Sequence, residues 1–194
     1  MDPIRTKRLV ITPFDLSYLT DRYVSWLNDS EVTRFSRHRS VTHTIKSCRD
    51  YYLSFQDSPN YLWAIEILDG DTLHIGNVNA YIDEPNSTAD VGILIGEKTE
   101  WGKGYAYEAW IAICNYLFTI EKMRKISAST LSTNKSMLNL ARQAKMSEER
   151  RRFHQVIFEG KKVDVINFAY HRKEWWGVYS DLVGQEISPS ENSQ

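Results

Sequence analysis

Residues 92–110 read GILIGEKTEWGKGYAYEAW, and the order of residue types in this stretch decides how the chain folds. Gly92–Ile95 closes an apolar run that begins near Ala89, as expected of a strand. Tyr105–Ile120 then reads as a long helix. Between them, Trp101-Gly102-Lys103-Gly104-Tyr105-Ala106 places small residues where the strand gives way to the helix. A helix start leaves its first N–H groups without intrahelical partners, at the positive end of the helix dipole. Glycines there let an anion approach the backbone. A plain tight turn uses glycine as well, so the motif alone fits both a turn and a phosphate cradle.

Two familiar glycine motifs fail on spacing. A nucleotide P-loop needs GxxxxGK and then Ser or Thr, but Gly96 lies one residue too far from Gly102-Lys103 and Gly104 takes the hydroxyl position. A dinucleotide fingerprint needs GxGxxG early in a βαβ unit. Here Gly102 and Gly104 give only GxG, and three strands come first.

Working outward, Arg8–Phe14 alternates like a strand closed by Pro13, and Asp15 is placed to cap a helix through Leu27. Thr44–Phe55 gives a second helix. Strands Tyr61–Leu68, His74–Ile82 and Ala89–Ile95 follow, separated by the turn signals DGDT and DEPNST, whose shortness favours antiparallel neighbours. After the long helix come strand Lys125–Leu131, helix Asn134–Lys145, and a hairpin of strands Glu148–Phe158 and Val163–Tyr170. The order βααβββαβαββ predicts an α/β (α+β) protein, a mixed sheet of about seven strands with helices packed on it. Residues 1–183 read as a single domain and 184–194 as a polar tail.

A formal net charge of -1 argues against general attraction to nucleic acid or anionic membrane. MDPIRTKRLVITPF lacks a signal peptide's apolar stretch, and the densest apolar run, 109–120, is too short to span a bilayer. Cys48 and Cys114 are far apart without a CxxC, which suits a reduced compartment; the expectation is a soluble, cytoplasmic protein. His38, His43, His74, His154 and His171 show no metal-ligand spacing, so no metal is expected. Arg150-Arg151-Arg152 reads as a solvated strand edge.

WGKGYAYEAW resembles the acyl-CoA pyrophosphate loop of the GNAT acetyltransferase superfamily, Gln/Arg-x-x-Gly-x-Gly/Ala, with Trp101, Gly104 and Ala106 at the three named places. TLSTNKSMLNLARQAKM (130–146) resembles the family's next motif, where an Asn begins a helix beside the cofactor. Gly160 and Asp164 fit the Gly-x-x-x-Asp hairpin common in the Rim-type branch, which acetylates protein N-termini. The resemblance covers roughly residues 5–175 and implies the GNAT fold with helices on both sheet faces, acting as a monomer or homodimer. It implies transfer of an acetyl group from acetyl-CoA, with CoA as product, to a small-molecule amine or a peptide or protein N-terminus. A polyamine or aminosugar nucleotide is the alternative acceptor, and a non-catalytic CoA-binding module the alternative function.

By the same resemblance, the backbone of Gly102, Lys103, Gly104, Tyr105 and Ala106 takes the pyrophosphate; the residues themselves place Lys103 and Lys98 where they can add positive charge. Ile93, Leu94 and Ile95 form a rail for the pantetheine in a gap between this strand and Lys125–Leu131, and Asn134 contacts the cofactor arm. Removing a proton from an amine of pKa near 10 needs a base. Asp90, just before the apolar strand, is the first candidate and Glu66 the second. The family's Tyr donor position holds Ala141, leaving Ser136, water or another tyrosine as the acid. Lys145-Met146 replaces the family's Gly-Phe, a local cost in stability of about 1 kcal/mol.

Overall fold

The alternating segments assemble as one sheet. In the computed structural model, which describes residues 2–36, 39–68 and 72–183, the strands are β1 (Ile4–Arg5), β2 (Leu9–Pro13), β3 (Tyr61–Ile67), β4 (Leu73–Asp83), β5 (Thr88–Ile95), β6 (Lys125–Leu131), β7 (Ser147–Phe158) and β8 (Lys161–His171). Their spatial order is β1-β2-β3-β4-β5-β6-β8-β7. Five helices accompany them: α1 (Asp21–Asn28), α2 (Ile45–Gln56), α3 (Tyr105–Thr119), α4 (Lys135–Gln143) and α5 (Arg172–Val183). His38, most of the DGDT turn and the tail 184–194 lie outside the described residues.

The period-2 pattern sorts each strand between two layers. Trp63, Ile65, Ile75, Val78, Ala89 and Val91 face α3, whose Trp110, Ile113, Cys114 and Leu117 are fully buried against them. The alternate positions Leu62 and Ala64 face α1 and α2, where Phe14, Tyr23, Trp26 and Cys48 form a second cluster. Both cysteines are free and lie in different clusters.

Two expectations need correction. Asp15 caps only a 3₁₀ turn at Leu16–Tyr18, and the side chain of Thr20 caps α1 instead. The second is α5, which the expected order lacks. Trp175 and Tyr179, four residues apart, anchor it on the α3 face. The Trp175 indole donates to Asn115 Oδ1 at 3.3 Å, which explains a polar residue inside the apolar run of α3. The extra strand, β1, is only two residues long.

One sheet feature positions the site. The β5–β6 pair is parallel, joined by the α3 crossover, and every other neighbouring pair is antiparallel. Its rungs are Thr88–Lys125, Ala89–Ile126 and Asp90–Ser127, and there the ladder stops. Beyond it β5 stays paired with β4 through Ile95, and β6 stays paired with β8 through Leu131. The two strands therefore diverge from a crotch at Asp90 and Ser127.

Candidate functional site

The site has three parts: a backbone cradle at the head of α3, the gap between β5 and β6, and a carboxylate at the crotch. In the cradle, Gly104 is the N-cap of α3 at φ 84°, and no side chain caps the helix start. Gly102 also has positive φ, 78°. An L side chain strains in that region, so the first-turn N–H groups are presented without a covering Cβ. That is the shape an anion needs, and the residues fit a pyrophosphate.

The charge beside the cradle comes from an unexpected residue. Lys103 Nζ is held by Glu100 at 2.9 Å, and Lys98 Nζ by Asp29 at 2.7 Å. Arg8, on the neighbouring β2 side, reaches over instead. Its Nε donates to Glu108 Oε2 at 2.7 Å, its Nη1 to the Lys103 carbonyl at 2.9 Å, and its guanidinium lies 4.5 Å from the centre of the Tyr105 ring. The remaining nitrogen, Nη2, makes no hydrogen bond among the described residues and sits 3.4 Å from where a Gly104 Cβ would be. Burial pushes the Glu108 carboxyl up, but hydrogen bonds from Thr6 and Arg8 outweigh it and leave the pKa below the usual range.

Trp101 latches the loop to the strand, its Nε1 donating to the Ile95 carbonyl at 2.8 Å. The expected rail is therefore shorter than the sequence suggests, because one carbonyl at its end already has a donor. Ile93 remains beyond the last β5–β6 rung. Asn134 is the N-cap of α4, accepting from Met137 N and donating to Thr130 Oγ1 at 3.0 Å. Its side chain is thus committed to holding the helix start.

Asp90 stands at the crotch, exposed, and accepts from Ser127 Oγ at 3.0 Å. Its register partner on β4 is Tyr81, whose hydroxyl lies 3.3 Å from that of Tyr51 on α2. Burial, first, and the Tyr81 contact push the Tyr51 hydroxyl pKa well up, so it stays protonated. The other two expected catalytic residues are not brought to this point. Glu66 pairs with His74, seven residues along β4 from Tyr81, so roughly 23 Å of strand separates it from Asp90. There it accepts from Tyr18 (2.8 Å) and Thr12 (3.0 Å) beside a cage of rings around His74. Ser136 lies on α4 and lines a cavity of about 560 Å³ with Arg34, Phe35, Phe158 and Lys161, beyond the far end of β6.

Arg8, Ser127 and Tyr81 escaped the sequence reading, since each joins the site through a partner distant along the chain. The one signal available was parity: Asp90 and Ser127 fall on the outward-facing alternation of their strands. Among the described residues no group of three His, Cys, Asp or Glu is placed to hold a metal, and no helix is long and apolar enough to cross a membrane.

Comparison with known proteins agrees with this geometry. Residues 8–147 match the model of the acetyltransferase (GNAT) domain. The chain is 25% identical over 182 residues to an uncharacterized N-acetyltransferase, p20, from Bacillus licheniformis, covering 91% of this chain and all of that one. A spermidine N-acetyltransferase from Vibrio cholerae, solved with CoA and spermine, superposes with TM-score 0.78 at 18% identity, over 88% of this chain and 99% of that one. A GNAT-family acetyltransferase from Bacillus anthracis gives TM-score 0.76 at 19% identity, over 89% and 100%.

Proposed function

Because the chain belongs to the GNAT acetyltransferase family and is an acetyl-CoA-dependent N-acetyltransferase, we propose that Asp90 is its general base and that its acceptor is a primary amine delivered to the crotch of β5 and β6. The observation that carries this reading is the ladder ending at Asp90–Ser127, which sets a carboxylate at the apex of the gap. When bound, acetyl-CoA supplies the activated thioester. The α3 N–H groups and Arg8 hold its phosphates, and the free edge of β5 near Ile93 and Leu94 aligns its arm.

An ammonium cannot act as a nucleophile, so Asp90 takes its proton, directly or through one water. Ser127 Oγ fixes the carboxylate's orientation by donating to Oδ2. Tyr81, the register neighbour of Asp90 on β4, carries a phenol on the same face, and we assign it the proton for the departing thiolate in place of Ser136. The Rim-type resemblance favours a peptide α-amine as acceptor, and the fold likeness to a spermidine enzyme a polyamine.

Acetyl-CoA should raise the melting temperature of the wild type, and Gly104→Glu should remove that shift. Asp90→Asn should lower kcat at least about hundredfold, in line with general-base catalysis, while the cofactor Kd stays put. A wild type indifferent to millimolar acetyl-CoA would defeat the cofactor reading; undiminished turnover by Asp90→Asn would remove Asp90 from the mechanism.

A further inference from the structure

The charge of the acceptor can be read from the open face of the sheet. α1 and α2 pack over β2 and β3, while Asp90 and Ser129 on the same face remain exposed. Register carries that face across β6 and β8, from Ser127 to Ala169 and from Ser129 to Asn167. On β7, Arg150 is opposite Asn167 and Arg152 opposite Val165, so both arginines share the face with Asp90.

The Arg150-Arg151-Arg152 run, expected to be a uniform solvated edge, is therefore split. Arg151 turns the other way and pairs with Glu148 at 3.0 Å and Asp164 at 3.5 Å. Arg150 and Arg152 make no ion pair among the described residues and, with Glu149 and Asn167, line a recess of about 250 Å³. Arg152 Nε and Asn167 Oδ1 are buried there without a hydrogen-bond partner. Buried polar atoms are ordinarily satisfied, and an orphaned donor on a cation favours an incoming acceptor.

Two acids beside these arginines are already neutralised, while Asp83, on the same face two residues from Tyr81, accepts hydrogen bonds from Asn86. Glu149 is held by Lys125 at 2.5 Å and His171 at 3.1 Å, and Glu159 by both arms of Arg34 at 3.0 Å. Lys135 and Lys161 line the larger cavity at the end of β6 together with Glu159, and neither forms a salt bridge within 4 Å among the described residues. A chain of net charge -1 thus gathers positive charge at the β7–β8 end of the face that carries its candidate base. A polycation would meet like charge there.

We infer that the acceptor is an anionic amine: a primary amine whose molecule also carries a carboxylate or a phosphate, held by Arg150 and Arg152 while its amine faces Asp90. This rests on the acetyltransferase reading above. Three strand spacings, roughly 14 Å, separate the strand of Asp90 from that of Arg150 and Arg152, and the arginine side chains shorten the reach needed between amine and anion. Acidic dipeptides supply the carboxylate form and amino-sugar phosphates the phosphate form.

The test is CoA-thiol release across acidic dipeptides, amino-sugar phosphates, neutral dipeptide amides and spermidine, with calorimetric binding of the best anionic amine. One or both anionic sets should exceed spermidine in kcat/KM by about tenfold or more, the scale of one charge-assisted hydrogen bond. The winning set identifies carboxylate or phosphate. Arg150→Glu/Arg152→Glu should erase the preference and the calorimetric signal, and Arg150→Gln alone, at an exposed position, should weaken both if the double variant fails to fold. The acetyl-CoA Kd should not move in either. Spermidine equal to or better than every anionic amine, no anionic amine bound or acetylated, or variants that raise only the acetyl-CoA Kd would each overturn the inference. Loss of acetyl-CoA binding by the wild type would instead overturn the underlying reading.

Discussion

Replacing Arg8 with Met should weaken acetyl-CoA binding more than it weakens the fold. The guanidinium joins Glu108, the Lys103 carbonyl and the Tyr105 ring. Its side chain is 42% exposed, so the ion pair is solvent-screened and contributes about 0.5 kcal/mol, with a similar amount from the ring contact. Glu108 keeps Thr6 Oγ1 (2.6 Å) and the Arg8 backbone N–H (2.8 Å) in the variant. The expected loss is about 1 kcal/mol, or roughly 2–4 °C in Tm for a chain of this size. Binding loses a charge-assisted hydrogen bond from Nη2, about 1.5–3 kcal/mol, which raises Kd by roughly tenfold to a hundredfold. Lys103→Met should stay within about threefold of wild type, because Glu100 already holds its ammonium. Calorimetric titration with acetyl-CoA, paired with ligand-free melting, separates the two effects. An unchanged Kd in Arg8→Met, or an equal loss in Lys103→Met, would refute the assignment of the cradle's charge to Arg8.

Two further outcomes concern stability. Burial lowers the His74 pKa to about 4, so between that value and about 6.5 the unfolded chain binds more protons and stability rises with pH. Acidification from pH 7 to 5 should therefore cost about 2 kcal/mol, and His74→Phe, which suits the surrounding rings, should flatten that dependence; parallel melting curves for the two proteins would contradict it. Lys145 ends α4 at φ 54°, a conformation that suits glycine, so Lys145→Gly should add about 0.5–1 kcal/mol. Urea midpoints would show it, and a lower midpoint for the variant would refute it.

What the chain discloses in one dimension is pattern, and the parts of the site that depend on pattern were legible. Gly102 and Gly104 announced a strand-to-helix junction, and the strand-helix-strand order announced a parallel pair able to splay. Alternation along β5 was enough to mark Asp90 as an outward-facing candidate. Charge pairing was not legible: Lys103 looks available until Glu100, three residues earlier, is seen to hold it. Arg8 lies 100 residues from its partner Glu108. Glu66 had the right residue type and sheet face but sits at the far end of β3 from Asp90's level, since periodicity fixes a face and not a position along it. The arginine run shows the same limit, because the register shift between Glu148 and Arg150 decides which guanidiniums share a face with Asp90. Helix α5 was obscured by the paired tryptophans and Gly177, and only the pocket against α3 explains Trp175.

The Trp101 latch bears on the ligand-free molecule. Diverging strands leave a ragged border of unmet amides, the kind of template onto which a stray peptide or a second copy adds itself. An indole plugged into the last carbonyl of that border shortens the template from the chain's own resources. The gap is thereby kept for a narrow guest entering beside the helix head, and a whole foreign strand finds one rung fewer to grip.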